Sequence, residues 1–293
     1  MIGRRKEISG HTKLMGTVGH PVEHSLSPLL HTALGVRYHR DVAYLAYDIT
    51  ADKVGEFTRA MRTLGILGCN VTMPDKEAIL PYLDEMDPFA RRCGAVNLVK
   101  NTDGHLCGYN VDAEGFRMGL EAKGLGFEGN NILILGAGGA AKSIVELAVD
   151  RGAAHICVLN RSVPRAQCLC AGRKRMSCGP MSGQRLAQEA RHANLIINTT
   201  SLGMEGAGED YREFSFLDQT GAAVAEVVYN PLHTALLREA QRRGLTVVRG
   251  LDMLIYQALL TFTCITGVET DPAADYPYLE RLLLDEFHRR SAE

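Results

Sequence analysis

Lys76 stands in the stretch NVTMPDKEAI, residues 70–79, where a β-branched run gives way to a proline and then to helix-forming residues. A lysine at such a strand-to-helix turn can serve as a general acid or base, since its proton affinity responds readily to burial and to neighbouring charge. The plain alternative is a solvated lysine in the first turn of a helix. The choice depends on whether the rest of the chain calls for a proton-transfer group.

The segment GNNILILGAGGAAKSIVELAVDRGAAHICVLNRS supplies a reason to want one. An apolar strand from Ile132 to Leu135 runs into Gly136, Gly138 and Gly139, then into a helix from about Ala140 to Asp150, then into a second strand ending at Asn160. A glycine turn between strand and helix within one βαβ unit is the context of a dinucleotide-binding fingerprint. Gly136 permits the tight turn, Gly138 lets backbone N–H groups approach a pyrophosphate, and Ala141 allows close helix-to-strand packing. The helix N-terminus, from Gly139 and Ala140 onward, offers partial positive charge to that pyrophosphate.

The end of the second strand discriminates between cofactors. An NAD site usually has Asp or Glu there, about 20 residues past the first glycine, to bind the ribose 2′-hydroxyl. This chain has Asn160, Arg161, Ser162 and Arg165 instead. A guanidinium pairs with a 2′-phosphate and stacks on adenine, whereas a carboxylate repels the phosphate, so NADP is the expected cofactor, with NAD as the alternative. The plain reading of Arg161 and Arg165 is a pair of solvated loop arginines.

These groups need elements to position them. The runs TKLMGTVG, VAYLAYDI and LGCNVTM read as strands, and SPLLHTALGV and ADKVGEFTRAMRTLG as helices, with Ser27 as N-cap before Pro28 and Gly65 as terminator. This alternation predicts βαβ units around a mainly parallel sheet. Further strands are expected at ANLIINTTSLGM, AAVAEVVYN and LTVVRG. MLIYQALLTFTCITG is a long helix with Leu254, Ala258, Leu259 and Phe262 on one face, VETDPAADYP a polar loop, and 277–288 a last amphipathic helix.

A chain of 293 residues exceeds the usual size of one core, so two domains are expected. With 32 basic and 34 acidic residues it has no electrostatic case for nucleic acid or an anionic membrane, and any anionic ligand needs a local site. The polar start MIGRRKEISGHTK and the absence of a long apolar run argue for a cytoplasmic protein. The eight scattered cysteines suit reduced thiols, and CLCAGRKRMSC lacks a zinc-site spacing, so no metal is expected.

With these pieces in place the chain resembles the shikimate/quinate dehydrogenase family along nearly its full length. The matching stretches, in order, are HSLSPLLH, NVTMPDKEAI, GAVNLV, GYNVDAEGF, LGAGGAAKSI, NRSVPRA, NTTSLGM, VYNPLHTALL and GLDMLIYQALLTF. The resemblance implies an α/β protein: an N-terminal α/β substrate domain, 1–112 completed by 251–293, a Rossmann-type NADP domain over 113–250, and an active site in the interdomain cleft. It assigns the acid/base roles to Lys76 and to Asp112 of GYNVDAEG. It also implies a small cyclic polyol carboxylate as substrate, with Ser25 and Ser27 on its carboxylate, Thr72, Asn97 and Gln257 on ring hydroxyls, and Tyr229 on the carboxylate side. Cofactor-lining positions reach to Gly250. Taken singly, Asp112 and Ser27 are equally helix caps and Asn97 a turn residue.

The implied reaction agrees with elementary chemistry. Hydride transfer between a secondary alcohol and a nicotinamide requires a group that removes or returns the hydroxyl proton. A carboxylate beside that lysine would hold it and favour its charged form. Two positions depart from the family: Val111 replaces a threonine near Asp112, and Asp252 stands where glycine is frequent, near the nicotinamide, where a carboxylate would disfavour or reposition the cofactor. The expected activity is an NADP-dependent shikimate dehydrogenase. The alternatives are a quinate/shikimate dehydrogenase using NAD(P), and a non-catalytic nucleotide-sensing regulator on the same fold. The oligomeric state stays open, a homodimer being one state the sequence allows.

Overall fold

Alternating apolar strands and amphipathic helices build two six-stranded sheets. The computed structural model describes residues 8–207, 211 and 213–291, so the first seven residues, on which part of the N-terminal reading rests, lie outside the described residues. The first stretch runs β1 (Lys13–Gly19), α1 (Ser27–Arg37), β2 (Val42–Asp48), α2 (Val54–Thr63), β3 (Gly68–Val71), α3 (Asp75–Ala78), β4 (Glu85–Met86), α4 (Pro88–Cys93), β5 (Leu98–Thr102) and β6 (His105–Tyr109). It continues through α5 (Asp112–Glu121), β7 (Asn131–Leu135), α6 (Gly139–Asp150), β8 (His155–Asn160), α7 (Val163–Cys170), β9 (Met176–Pro180), α8 (Gly183–Ala190) and β10 (Leu195–Asn198). Then come β11 (Ala223–Glu226), α9 (Ala235–Arg242), β12 (Val247–Val248), α10 (Gly250–Thr266) and α11 (Pro272–Ser291). Two compact units result, one of residues up to Val111 together with those from Gln257, the other Asp112–Tyr256.

The first unit carries a sheet in the order β2-β1-β3-β5-β6-β4. It is parallel only in part: β1 pairs parallel with β2 and β3, whereas β5 runs antiparallel to both β3 and β6. The β5–β6 hairpin, which turns at Asp103 and Gly104 with φ of 50° and 91°, supplies the antiparallel pairings, while β4 pairs parallel with β6, so the sheet is mainly parallel as expected with one hairpin inserted. Asp-Gly between two strands is a strong hairpin signal because both turn residues need positive φ. Val18, Phe57, Met61, Val71, Ile79, Val99 and Leu106 fill one core of this unit.

Two helix ends differ from the reading of the sequence. Ser27 is the first residue of α1 and Leu26 its N-cap, with no side-chain cap. The Ser27 N–H donates instead to Ser25 Oγ at 3.3 Å. The segment 272–277, expected as loop, is the start of α11: Asp271 Oδ1 caps it by accepting from Ala273 N at 3.0 Å and Ala274 N at 3.3 Å. Asp-Pro at a helix start is a favourable cap pair, and Pro277 lies inside the helix. In α10, Ala258, Leu259 and Phe262 are buried as expected but Leu254 is half-buried, Leu251 and Ile255 taking the deeper positions.

The second unit holds an all-parallel sheet in the order β12-β11-β10-β7-β8-β9. Taken from β7, this is the doubly wound 3-2-1-4-5-6 arrangement. Its central strands are apolar runs, Ile132–Leu135, Ile156–Leu159, Leu195–Ile197 and Ala223–Ala225, as expected of a parallel sheet buried on both faces. Leu133, Leu135, Leu159, Ile196, Val224 and Leu237 form part of its core. Among the described residues, no helix is long and apolar enough to cross a membrane, and no group of three or more His, Cys, Asp or Glu is placed to hold a metal ion.

Candidate active site

In an open α/β sheet, ligands enter where the strand order reverses, outside the carboxyl ends of the strands. In the first unit that reversal lies between β1 and β3. The turn after β1 carries Ser25, half-buried, and Ser27, buried. The turn after β3 carries Thr72, whose N–H donates to Val18 O at 2.9 Å and whose carbonyl accepts from Asp75 N at 2.9 Å, launching α3. Lys76 follows in α3, half-buried, its carbonyl accepting from Val96 N at 3.0 Å.

Asn97 enters the same edge just before β5. It is 2% exposed, its N–H donates to Tyr109 O at 3.0 Å, and its Oδ1 accepts from Val111 N at 2.7 Å. Asn70 joins these pieces from β3. Its Oδ1 accepts from the Tyr44 hydroxyl at 2.7 Å, and its Nδ2 donates to Thr261 Oγ1 at 3.0 Å, to Gln257 Oε1 at 3.3 Å and to Asn97 O at 3.3 Å. Tyr44 is buried, which holds its phenol well above the ordinary value, and it stacks on the His31 ring at 4.3 Å and 8°. Burial lowers His31 to about 3, so this ring is neutral.

Ser25, Ser27, Thr72, Lys76, Asn97 and Gln257 thus belong to the first unit, and Asn70 ties the last two of them together. Asp112, the first residue of α5, and Tyr229, half-buried between β11 and α9, belong to the second unit. The sequence pattern gives no role to Asn70, Tyr44 or Thr261. Asn70 stands inside the NVT stretch and is within reach of such a reading, whereas its partners lie as far as 191 residues away.

In the second unit the order reverses between β7 and β10, and the glycine turn lies there. Gly136 has φ of 110°, a region that favours glycine, and its N–H donates to Leu159 O at 2.8 Å. Thr199 Oγ1 donates to Leu135 O at 2.8 Å, and a Cβ on Gly136 would stand 2.6 Å from that hydroxyl oxygen. Thr199 thereby gives the NTTSLGM stretch a structural role that its sequence alone does not announce. Gly138 and Gly139 face open space, with nothing within 4 Å of the place a Cβ would take, and Ala141 is fully buried against the sheet. Ala140 is half-buried in the first turn of α6, whose N-cap Gly138 brings no side-chain cap, so no side chain competes there for an anion's place.

At the end of β8, Asn160 Nδ2 donates to Ser162 O at 2.9 Å and the Arg165 N–H to the same carbonyl at 3.2 Å. Arg161, Ser162 and Arg165 are exposed, and no carboxylate occurs from Asn160 to Gln167. The uncapped glycine turn and this basic corner fit a dinucleotide with a 2′-phosphate. Gly250 has a packing reason to be glycine: a Cβ there would lie 2.2 Å from Val228 O.

Both departures from the family pattern have structural counterparts. Asp252, 3% exposed, accepts from Arg249 N at 3.0 Å and from the Arg249 guanidinium at 2.7 Å and 3.2 Å. Its charge is therefore taken up within the first turn of α10. Val111 anchors to Asn97 through its backbone N–H, a link that needs no hydroxyl on its side chain.

A doubly wound sheet with an open glycine turn, in a chain that also carries a second α/β unit, defines a two-unit dinucleotide-binding protein. Residues 17–99 match the model of the shikimate dehydrogenase substrate binding domain, and residues 120–204 that of shikimate / quinate 5-dehydrogenase. The chain belongs to the shikimate dehydrogenase family. It is 40% identical over 289 residues to the shikimate dehydrogenase (NADP(+)) of Alkaliphilus metalliredigens, covering 95% of this chain and 98% of that one. The structure of shikimate 5-dehydrogenase from Thermus thermophilus in complex with NADP(H) and shikimate superposes with a TM-score of 0.82 at 34% identity, covering 92% and 100% of the two chains. That of shikimate 5-dehydrogenase from Listeria monocytogenes in complex with shikimate and NAD gives 0.84 at 29%, covering 94% and 99%.

Proposed function

We propose that the chain catalyses the reversible, NADP-dependent oxidation of shikimate to 3-dehydroshikimate, with Lys76 and Asp112 as its proton-transfer pair. The observation that carries this reading is the gathering of Ser25, Ser27, Thr72, Lys76 and Asn97 around one carboxyl edge of the first sheet, in a chain related over 95% of its length to a shikimate dehydrogenase (NADP(+)). Gly136, Gly138, Gly139, Ala140 and Gly250 would line the cofactor, and Asn160, Arg161, Ser162 and Arg165 would hold its 2′-phosphate. When bound, the nicotinamide supplies or accepts the hydride.

The chain's own residues do the rest. Neutral Lys76 Nζ takes the hydroxyl proton in the oxidative direction, and the ammonium returns it to the carbonyl oxygen in the reductive one. The Asp112 carboxylate favours the ammonium. Ser25 and Ser27 hydroxyls donate to the substrate carboxylate, with Tyr229 on the same side. Asn70 donates to Gln257 Oε1 and Val111 N to Asn97 Oδ1, contacts that orient the two amides which, with the Thr72 hydroxyl, would meet the ring hydroxyls.

The test follows reduced-nicotinamide absorbance with shikimate and quinate, each with NADP and NAD. The expected result is the highest kcat/KM for shikimate with NADP, and loss of turnover but not of NADPH binding in Lys76→Ala. A preference for quinate with NAD would overturn the assignment of the basic corner, and no turnover with any cyclic polyol would favour the nucleotide-sensing regulator.

A further inference from the structure

Tyr44, in β2, carries a buried hydroxyl to which the proposed mechanism gives no part. The register of the first sheet sets its company: Tyr44 lies beside Met15 of β1, and Thr17, two residues further along β1, lies beside Asn70 of β3. Neighbours in register share a face and so do residues two apart, so Tyr44, Thr17 and Asn70 point to one side of the sheet. To that side α1 sends Ser27 and His31, and α10 sends Gln257 and Thr261. All of these side chains are buried.

The hydrogen bonds run in a definite order. Burial keeps the Tyr44 phenol protonated, and its one proton goes to Asn70 Oδ1 at 2.7 Å. The phenol oxygen is left to accept, and the hydroxyls of Ser27 and Thr17 both reach it. On the other side Asn70 Nδ2 donates to Gln257 Oε1 and to Asn97 O, each at 3.3 Å. The Tyr44 ring is held in place by its stack on His31, the two rings 8° from parallel with centroids 4.3 Å apart. Tyr44 is therefore the joint between the serine proposed for the substrate carboxylate and the amides proposed for the ring hydroxyls. Ser27 carries one hydroxyl proton, for which the phenol and the substrate carboxylate compete. A hydroxyl turns freely, so when the carboxylate takes that proton Thr17 still supplies a donor to the buried phenol oxygen.

We infer that Tyr44 is a positioning residue for the substrate: its buried hydroxyl, shared by Ser27, Thr17 and Asn70, fixes Ser27 at a set distance from Gln257 and Asn97, and so the length of polyol carboxylate that fits between them. The inference rests on the substrate reading of Ser27, Asn97 and Gln257, and it adds Tyr44 and Thr17 to that reading.

Steady-state kinetics of Tyr44→Phe test it. Phenylalanine keeps the ring and its stack on His31 but removes the shared hydroxyl, so KM for shikimate should rise roughly five- to thirtyfold while kcat and KM for NADP stay within about twofold. Thr17→Val leaves Ser27 as the remaining hydroxyl donor to the phenol, and it raises KM for shikimate in the same sense should the first variant fail to fold. In a Ser27→Ala background the effect of Tyr44→Phe should shrink to about two- to threefold, since the two residues act through one contact. A lower melting temperature with a wild-type KM for shikimate, or the same fold-change in both backgrounds, overturns the inference and leaves Tyr44 a packing residue. Failure of the wild type to turn over shikimate with either cofactor overturns instead the substrate reading beneath it.

Discussion

Gly19, the last residue of β1, lies against Thr72 so closely that a Cβ on it would stand 2.3 Å from Thr72 Cγ2 and 2.9 Å from Met73 O. Met73 O is backbone and is already engaged by His20 N, so the turn carrying Lys76 has to move when Gly19 gains a side chain. Gly19→Ala should cost about 1–3 kcal/mol of stability as overpacking, and up to about 100-fold in kcat if the turn shifts by an ångström. Thermal melts and steady-state kinetics check both, and a wild-type kcat would show that the turn is not poised by this contact.

Gly136→Ala puts a Cβ on a residue with φ of 110°, facing Thr199 Oγ1 at 2.6 Å. NADPH affinity should fall at least about tenfold while the KM for shikimate stays constant, because the strain falls on the glycine turn of the second unit. Fluorescence titration of NADPH reads the first and initial rates the second.

Arg161→Ala and Arg165→Ala each remove a guanidinium from the exposed corner after β8. A charge-assisted phosphate contact is worth about 1.5–3 kcal/mol, so the KM for NADP should rise roughly 10- to 150-fold with the rate on NAD unchanged. Equal losses with both cofactors would place the arginines elsewhere in the mechanism.

Asn70→Ala deprives Tyr44, Thr261 and Gln257 of their common partner in a buried setting. The expected cost is about 1–3 kcal/mol in a denaturant titration, with a raised KM for shikimate as Gln257 loses its holder.

His31 couples stability to pH. Its folded value of about 3 lies below the ordinary 6.5, so the unfolded chain binds the proton more readily. Its contribution is complete above pH 6.5 and is lost as pH falls from there toward 3, amounting to about 2 kcal/mol at pH 5. Urea unfolding at pH 5 and pH 7 measures the difference, which should shrink in His31→Phe, a variant that retains the stack on Tyr44.

Some features that depart from the expected pattern are legible in the sequence all the same. Asp103-Gly104 announces the β5–β6 hairpin and Asp271-Pro272 the start of α11, and both signals act within a few residues. Others are not. Nothing near Asp75 in the sequence tells that its carboxylate is buried without a donor, and nothing near Asp252 tells that Arg249 takes up its charge, since an exposed pair at that spacing reads the same.

The sequence by itself determined what short-range sterics and electrostatics decide: the strand, glycine turn and helix at 131–150, the carboxylate-free end of β8, and the family to which the nine ordered stretches belong. Backbone freedom at a glycine and charge at a strand end are properties of a few neighbouring residues. Only the tertiary structure decided that Asn70 meets Gln257 and Thr261 across 187 and 191 residues, and that the turn bearing Lys76 rests on Gly19 and encloses Asp75. Burial and hydrogen-bond partnership depend on which distant segments the packed core brings into contact, and local sequence carries no term for that.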